Sequence, residues 1–85
     1  MTMKIRVRYF ASIREALGAG ESLEVGPGTT LAALRGLLSA QSLAHSRVLG
    51  GQRPVRAAVD QRMQDEALVI VQDCEVAFFP PVTGG

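Results

Sequence analysis

The last six residues, Pro80-Pro81-Val82-Thr83-Gly84-Gly85, are the stretch whose residue types suggest chemistry. None of their side chains is reactive, so the candidate group is main chain: the α-carboxylate expected at Gly85. A carboxylate is a poor electrophile, because its charge is delocalised and its leaving group would be oxide. Conversion to a mixed anhydride such as an acyl-adenylate makes it open to a sulfur or nitrogen nucleophile, so the expectation includes a separate activating enzyme. Gly84 and Gly85 have no side chains and suit a channel too narrow for other residues. Pro80 and Pro81 cannot donate to a strand ladder, and two prolines in a row favour an extended rod. Fully extended, the six residues span about 20 Å. The reading is a folded domain over residues 1–79 and a flexible Gly-Gly tail over 80–85.

The other candidates are weaker. Cys74 and His45 lie far apart in sequence with no third partner, and His45 reads as a surface residue. Asp65-Glu66 reads as a solvated acidic pair rather than a catalytic dyad. With no triad, metal cluster or phosphate loop in the pattern, the expectation is no catalytic side chain of the chain's own, no bound cofactor and no metal. Nine basic and eight acidic residues are interspersed for a net charge of +1, with no basic stripe, which argues against a nucleic-acid partner. No apolar run reaches membrane-spanning length, and the alternating N-terminus lacks the apolar segment of a signal peptide. A single cysteine permits no internal disulfide, so the expected location is cytoplasmic. Eighty-five residues with 47% apolar content make one globular domain.

The elements that must position the tail follow from periodicity. Lys4 to Phe10 alternates, with Ile5, Val7 and Tyr9 on one face and Lys4, Arg6 and Arg8 on the other, which is a half-buried strand. Phe10 falls on the charged face, either covered by the following loop or facing a partner. Ser12-Ile13-Arg14-Glu15 has the form of a capping box before a short helix that Gly18 or Gly20 ends. Glu21 to Val25 reads as a strand with Leu23 and Val25 inward, and Gly26-Pro27-Gly28 as a turn. Thr29 or Thr30 caps a helix whose apolar stripe is Leu31, Leu34, Leu37 and Leu38, with Gly36 marking close approach to a strand. Leu43, Val48 and Leu49 suggest a further helical turn before Gly50-Gly51. Val55 to Val59 is a strand with Val55, Ala57 and Val59 on one face, followed by a tight turn at Asp60-Gln61. Met63 is core filler or an exposed apolar contact. Leu68 to Val71 has strand propensity. Glu75 to Phe79 is the last strand, with Val76 and Phe78 inward and Phe79 outward. If the first and last strands are parallel neighbours, Phe10 and Phe79 lie side by side near the tail, on a docking surface. One main helix on one face of a mixed sheet of four to five strands, an α+β domain, is the natural packing.

Two segments carry a resemblance: Tyr9-Phe10-Ala11-x-x-Arg14-Glu15, and Glu75-Val76-Ala77-Phe78-Phe79-Pro80-Pro81-Val82-Thr83-Gly84-Gly85. Together they resemble the small-subunit (MoaD) branch of the MoaD/ThiS ubiquitin-like sulfur carriers, over the whole chain in length and element order. The resemblance implies a ubiquitin-like β-grasp fold. It implies that a ubiquitin-activating-type adenylyltransferase uses ATP to adenylate Gly85, and that a sulfur donor protein converts the adenylate to a thiocarboxylate. It further implies docking on the large subunit of molybdopterin synthase in a heterotetramer, and sulfur transfer to cyclic pyranopterin monophosphate for molybdenum cofactor biosynthesis. The chain would then be a non-catalytic carrier subunit, with Phe10, Met63 and Phe79 as its partner interface. The resemblance departs at Asp73-Cys74, where a Gly-Asp turn is usual, so a wider or strained turn is expected, with Cys74 a small filler residue. Two rival functions share the tail chemistry: a sulfur carrier for thiamine thiazole synthesis, usually shorter and without the Ala-Phe-Phe-Pro-Pro run, and a ubiquitin-like modifier conjugated to lysines through Gly85.

Overall fold

The computed structural model describes residues 1–51 and 53–81. Five strands, β1 (Met3–Tyr9), β2 (Gly20–Val25), β3 (Arg56–Val59), β4 (Arg62–Gln64) and β5 (Cys74–Phe79), form one sheet in the order β2-β1-β5-β3-β4. The two central strands, β1 and β5, run parallel, with Ile5 opposite Cys74 and Tyr9 opposite Phe78. The other neighbours are antiparallel. Among the described residues there are three helices, α1 (Ala11–Leu17), α2 (Leu31–Ser39) and α3 (Leu43–Leu49). Side chains alternate across a strand, so Ile5, Val7 and Tyr9 of β1 and Cys74, Val76 and Phe78 of β5 share one face. They join Leu31, Leu34, Leu38 and Leu49 of the helices in one buried core. This is the α+β, β-grasp arrangement expected, with α2 the longest helix and α3 packed beside it.

Several local expectations are corrected. Ser12 does not cap α1: it lies inside the helix, and the Phe10 carbonyl accepts the Ile13 and Arg14 N–H groups instead. The cause is upstream. Phe10 N–H still belongs to the sheet, donating to Phe78 O, and Ala11 turns the chain with φ +53°, so the helix begins at Ala11 and Phe10 takes the capping position. Gly18 ends the helix with φ +92°. Gly20 has a different duty: a Cβ there would lie 2.1 Å from the Val7 carbonyl oxygen, so only glycine lets β2 start against β1.

The α2 stripe is Leu31, Leu34 and Leu38, while Leu37 is 52% exposed and Arg35 is buried in its stead. Gly36 faces open space rather than a strand. Leu68 to Val71 is not a strand. Its one bridge joins Val69 to Thr30, because the segment serves the N-terminus of α2. The first helical N–H groups have no partner inside a helix. Here Leu31 N–H donates to Leu68 O, Ala32 N–H to Glu66 O, and Ala33 N–H to the Thr30 hydroxyl.

Asp60 and Gln61 both take positive φ, 47° and 71°, the geometry of a two-residue hairpin between β3 and β4. Of the wider or strained turn expected at Asp73-Cys74, the strain does not occur. Asp73 is not in the left-handed region, and its carboxylate accepts the Lys4 N–H at 2.8 Å, tying the starts of β1 and β5 together.

Candidate functional site

β5 is the middle strand, so the prolines that come after it leave from the most firmly held backbone of the sheet. Phe78 is 1% exposed and pairs with Tyr9 on one side and Ala57 on the other. One residue later Phe79 is half-buried, and Pro80 and Pro81 leave the ladder. Val82, Thr83, Gly84 and Gly85 lie outside the described residues.

The three expected interface residues share the sheet face away from the helices. Phe79 alternates with inward Phe78, and its ladder partner is Arg56. Phe10 continues β1 in extended conformation, is 36% exposed, and lies beneath the Arg8 guanidinium, 5.4 Å from the ring centroid. Met63 is 51% exposed on the short edge strand, which rules out the core alternative. It sits two strands from β5, about 10 Å at usual strand spacing. Between Met63 and Arg8 the register places Ala58 and Ala77 in one cross-strand row. Ala58 is 7% exposed yet does not belong to the core cluster, as befits a small residue on the outer face shaded by its neighbours. The face therefore has an apolar centre of Phe79, Ala77, Ala58 and Met63, bordered by Arg8 and Arg56. Parity identifies Ala77 once Phe79 is placed outward, but Arg8, Arg56 and Ala58 join the patch only through strand order, which the residues alone do not state.

Among the described residues, the remaining candidate side chains do structural work. His45 is not a free surface residue: its Nε2 lies 2.8 Å from Glu21 Oε2, and its Nδ1 lies 2.8 Å from the Ser42 hydroxyl. Tyr9 donates its hydroxyl to the same Glu21 oxygen at 2.6 Å. A carboxylate only accepts, so His45 Nε2 carries the proton it shares with Glu21. Burial alone would raise the Glu21 pKa. The hydrogen bonds from Tyr9 and His45 and the nearby imidazole outweigh burial and hold it below the ordinary value. Burial pushes the Tyr9 hydroxyl far up, with the bond to Glu21 acting in the same direction.

Asp65-Glu66 is solvated as expected, with Asp65 exposed and the Glu66 side chain 44% exposed, but both carboxylates have partners. Glu66 bonds Arg35, and Asp65 accepts the Ala67 N–H. Cys74 is 7% exposed in the core. Burial raises its thiol pKa and Asp60 and Asp73 add to the rise, with Arg6 opposing, so it is a poor nucleophile. Among the described residues no three His, Cys, Asp or Glu side chains gather as a metal site. No helix among them is long and apolar enough to cross a membrane.

Known proteins align with this chain over nearly all of it. The model of the ThiS family matches residues 7–85. The molybdopterin synthase sulfur carrier subunit of Escherichia coli (strain K12) is 37% identical over 81 residues, covering 95% of this chain and 99% of that protein. A putative molybdopterin converting factor, subunit 1, from Pyrococcus furiosus superposes with TM-score 0.74 at 25% identity, covering 94% of this chain and 99% of that one. SAMP1 from Haloferax volcanii superposes with TM-score 0.77 at 23% identity, over 96% of this chain and 99% of that one, a likeness of fold. The central parallel pair, the helices on one face and these alignments agree: the chain belongs to the ThiS/MoaD family and has its ubiquitin-like β-grasp fold.

Proposed function

We propose that this chain is the sulfur-carrier subunit of a molybdopterin synthase, and that its reagent is the C-terminal carbonyl of Gly85. The observation that carries the reading is the launch of Pro80-Pro81 from the central strand, beside an outward apolar face that contains Phe10 and Phe79. The curated relative, a synthase sulfur carrier subunit 37% identical over nearly its whole length, supports the same assignment. Inert burial of Cys74 supports it by exclusion, since that thiol is poorly placed to carry sulfur itself.

In the proposed sequence, an adenylyltransferase of the ubiquitin-activating type joins the Gly85 carboxylate to AMP and releases pyrophosphate. Sulfur at the oxidation level of sulfide, supplied by a donor protein, displaces AMP and leaves a thiocarboxylate. That group is largely ionised at neutral pH and is a soft nucleophile. It attacks a carbon of cyclic pyranopterin monophosphate in the active site of the large subunit, where a carbon–sulfur bond forms, a carbon–oxygen bond of that carbon breaks, and the carrier is left joined to the pterin as a thioester. Hydrolysis then frees the pterin sulfur and regenerates the carboxylate. The chain supplies delivery, while ATP is bound by the activating partner and neither a cofactor nor a metal resides on the carrier. The two partners use one outer face in turn, so release from the first precedes delivery to the second. A heterotetramer of two large and two small subunits in the cytoplasm, where ATP and reduced sulfur are available, is the proposed setting.

Deletion of Gly85 tests the assignment. Reconstituted pterin sulfuration with the large subunit is expected to vanish, while the melting temperature stays at the wild-type value. Continued sulfuration by the deletion variant would place the reagent elsewhere.

A further inference from the structure

The tail root has a second side. Opposite the Phe79 face, between the helices and the chain that leads into β3, lies a groove of about 420 Å3. Ile13, Val48, Val55, Pro80 and Pro81 give it an apolar lining. The charged residues that line it, among those described, are Arg47 and Arg53, both exposed, with no acidic residue beside them. Its wall is built rather than loose. Arg35, 6% exposed, donates from Nη2 to the carbonyls of both Gly50 and Arg53, and Arg53 N–H closes back on Gly50 O at 2.8 Å.

We propose that this groove is a second docking surface, occupied by an apolar segment of the large synthase subunit that carries carboxylates. The inference rests on the carrier reading, because it takes for granted that a protein receives the tail. Two observations select the occupant. Pro80 and Pro81 are part of the lining, so a channel that encloses the tail from its first residue must set its mouth against the groove. Two arginines without an acid in the lining attract carboxylates at encounter and repel a basic partner. The apolar walls between them favour a protein side chain over a small hydrated anion. With the outer face on the other side of β5, the partner then grips the tail root from both sides of the sheet, which fixes the direction in which the tail enters.

The test compares affinity of the full-length chain for the large subunit among four proteins. They are the wild type, Arg47→Glu/Arg53→Glu, Arg47→Lys/Arg53→Lys, and a control that adds two acids at exposed positions outside both the groove and the outer face, Ala33→Glu/Gln72→Glu. Circular dichroism melting confirms folding of each. The expected result is roughly a tenfold or greater loss of affinity for the glutamate pair at low salt, shrinking as salt rises, with the lysine pair and the control near wild type. Equal affinity of the glutamate pair and the control would overturn the groove alone. So would equal loss in the lysine and glutamate pairs, since charge would then not be the cause. Absence of binding by the wild type would instead overturn the carrier reading, and the groove with it.

Discussion

Arg35 is a cation held almost out of water, and its donors are matched one by one. Nε reaches Leu49 O, Nη2 reaches Gly50 O and Arg53 O, and Nη1 reaches Glu66. Leu49 and Gly50 end α3, where carbonyls lack helical partners and the dipole favours a positive charge. Removing the side chain orphans these carbonyls, whereas its counter-ion Glu66 is 44% exposed and can return to water. Arg35→Ala is therefore expected to cost about 3 kcal/mol in urea unfolding and Glu66→Gln under about 1 kcal/mol. Equal costs would mean that the ion pair, not carbonyl capping, is what matters. The Tyr9–Glu21–His45 chain gives a pH signature. Glu21 is held below its ordinary pKa, so its contribution is present above pH about 4.5 and lost as acid protonates it in the folded state. Tyr9 is raised, so its contribution is present below pH about 10 and lost on alkaline titration. Melting temperature is expected to fall on acidification below pH about 4.5 and on alkaline titration, where the buried Cys74 thiol, also raised, adds to the loss above pH about 9, with Glu21→Gln flattening the acid limb. An unchanged acid limb in that variant would show that Glu21 is not its source. Neither cluster is legible in sequence, because Glu21 and His45 are 24 positions apart and meet only in the folded chain.

At the scale of elements, the strand–helix junction at Phe10 sets the site. Its N–H belongs to the sheet, its carbonyl begins α1, and its ring stays on the outer face. Period-two alternation revealed β1, β5 and the inward faces of both, because a half-buried strand writes its burial into every second residue. Leu68 to Val71 misled for the same reason: Ile70 is buried and Val69 and Val71 are exposed, yet the backbone caps α2 instead of joining a ladder. Leu37 misled because helical spacing admits it to the stripe, and only the position of α3 decides that Arg35 faces inward. Phe79→Glu belongs to this scale. A half-buried residue at the end of a strand, on the outer face, contributes little to the core. The substitution is expected to weaken partner binding by roughly tenfold or more while lowering stability by less than about 1 kcal/mol. Comparable losses in both would return Phe79 to the core.

For the whole molecule, a net charge of +1 conceals how charge is arranged around the tail. Arg8 and Arg56 border the outer face, and Arg47 and Arg53 flank the groove. Interspersion along the sequence hid this grouping, since the four arginines come from two strands, a loop and a helix. The proposal for the tail, by contrast, rests on sequence alone, because two prolines and two glycines constrain the main chain without any help from the fold. The central claim is that sulfur rides on the last carbonyl and on no side chain. Intact mass spectrometry, after incubation with an activating enzyme, ATP and a sulfur source, tests it most directly, with fragmentation to locate the change. The predicted result is that one oxygen of the C-terminal carboxylate is replaced by sulfur, in Cys74→Ser as in the wild type. Added sulfur on Cys74, or no exchange at Gly85, would contradict it.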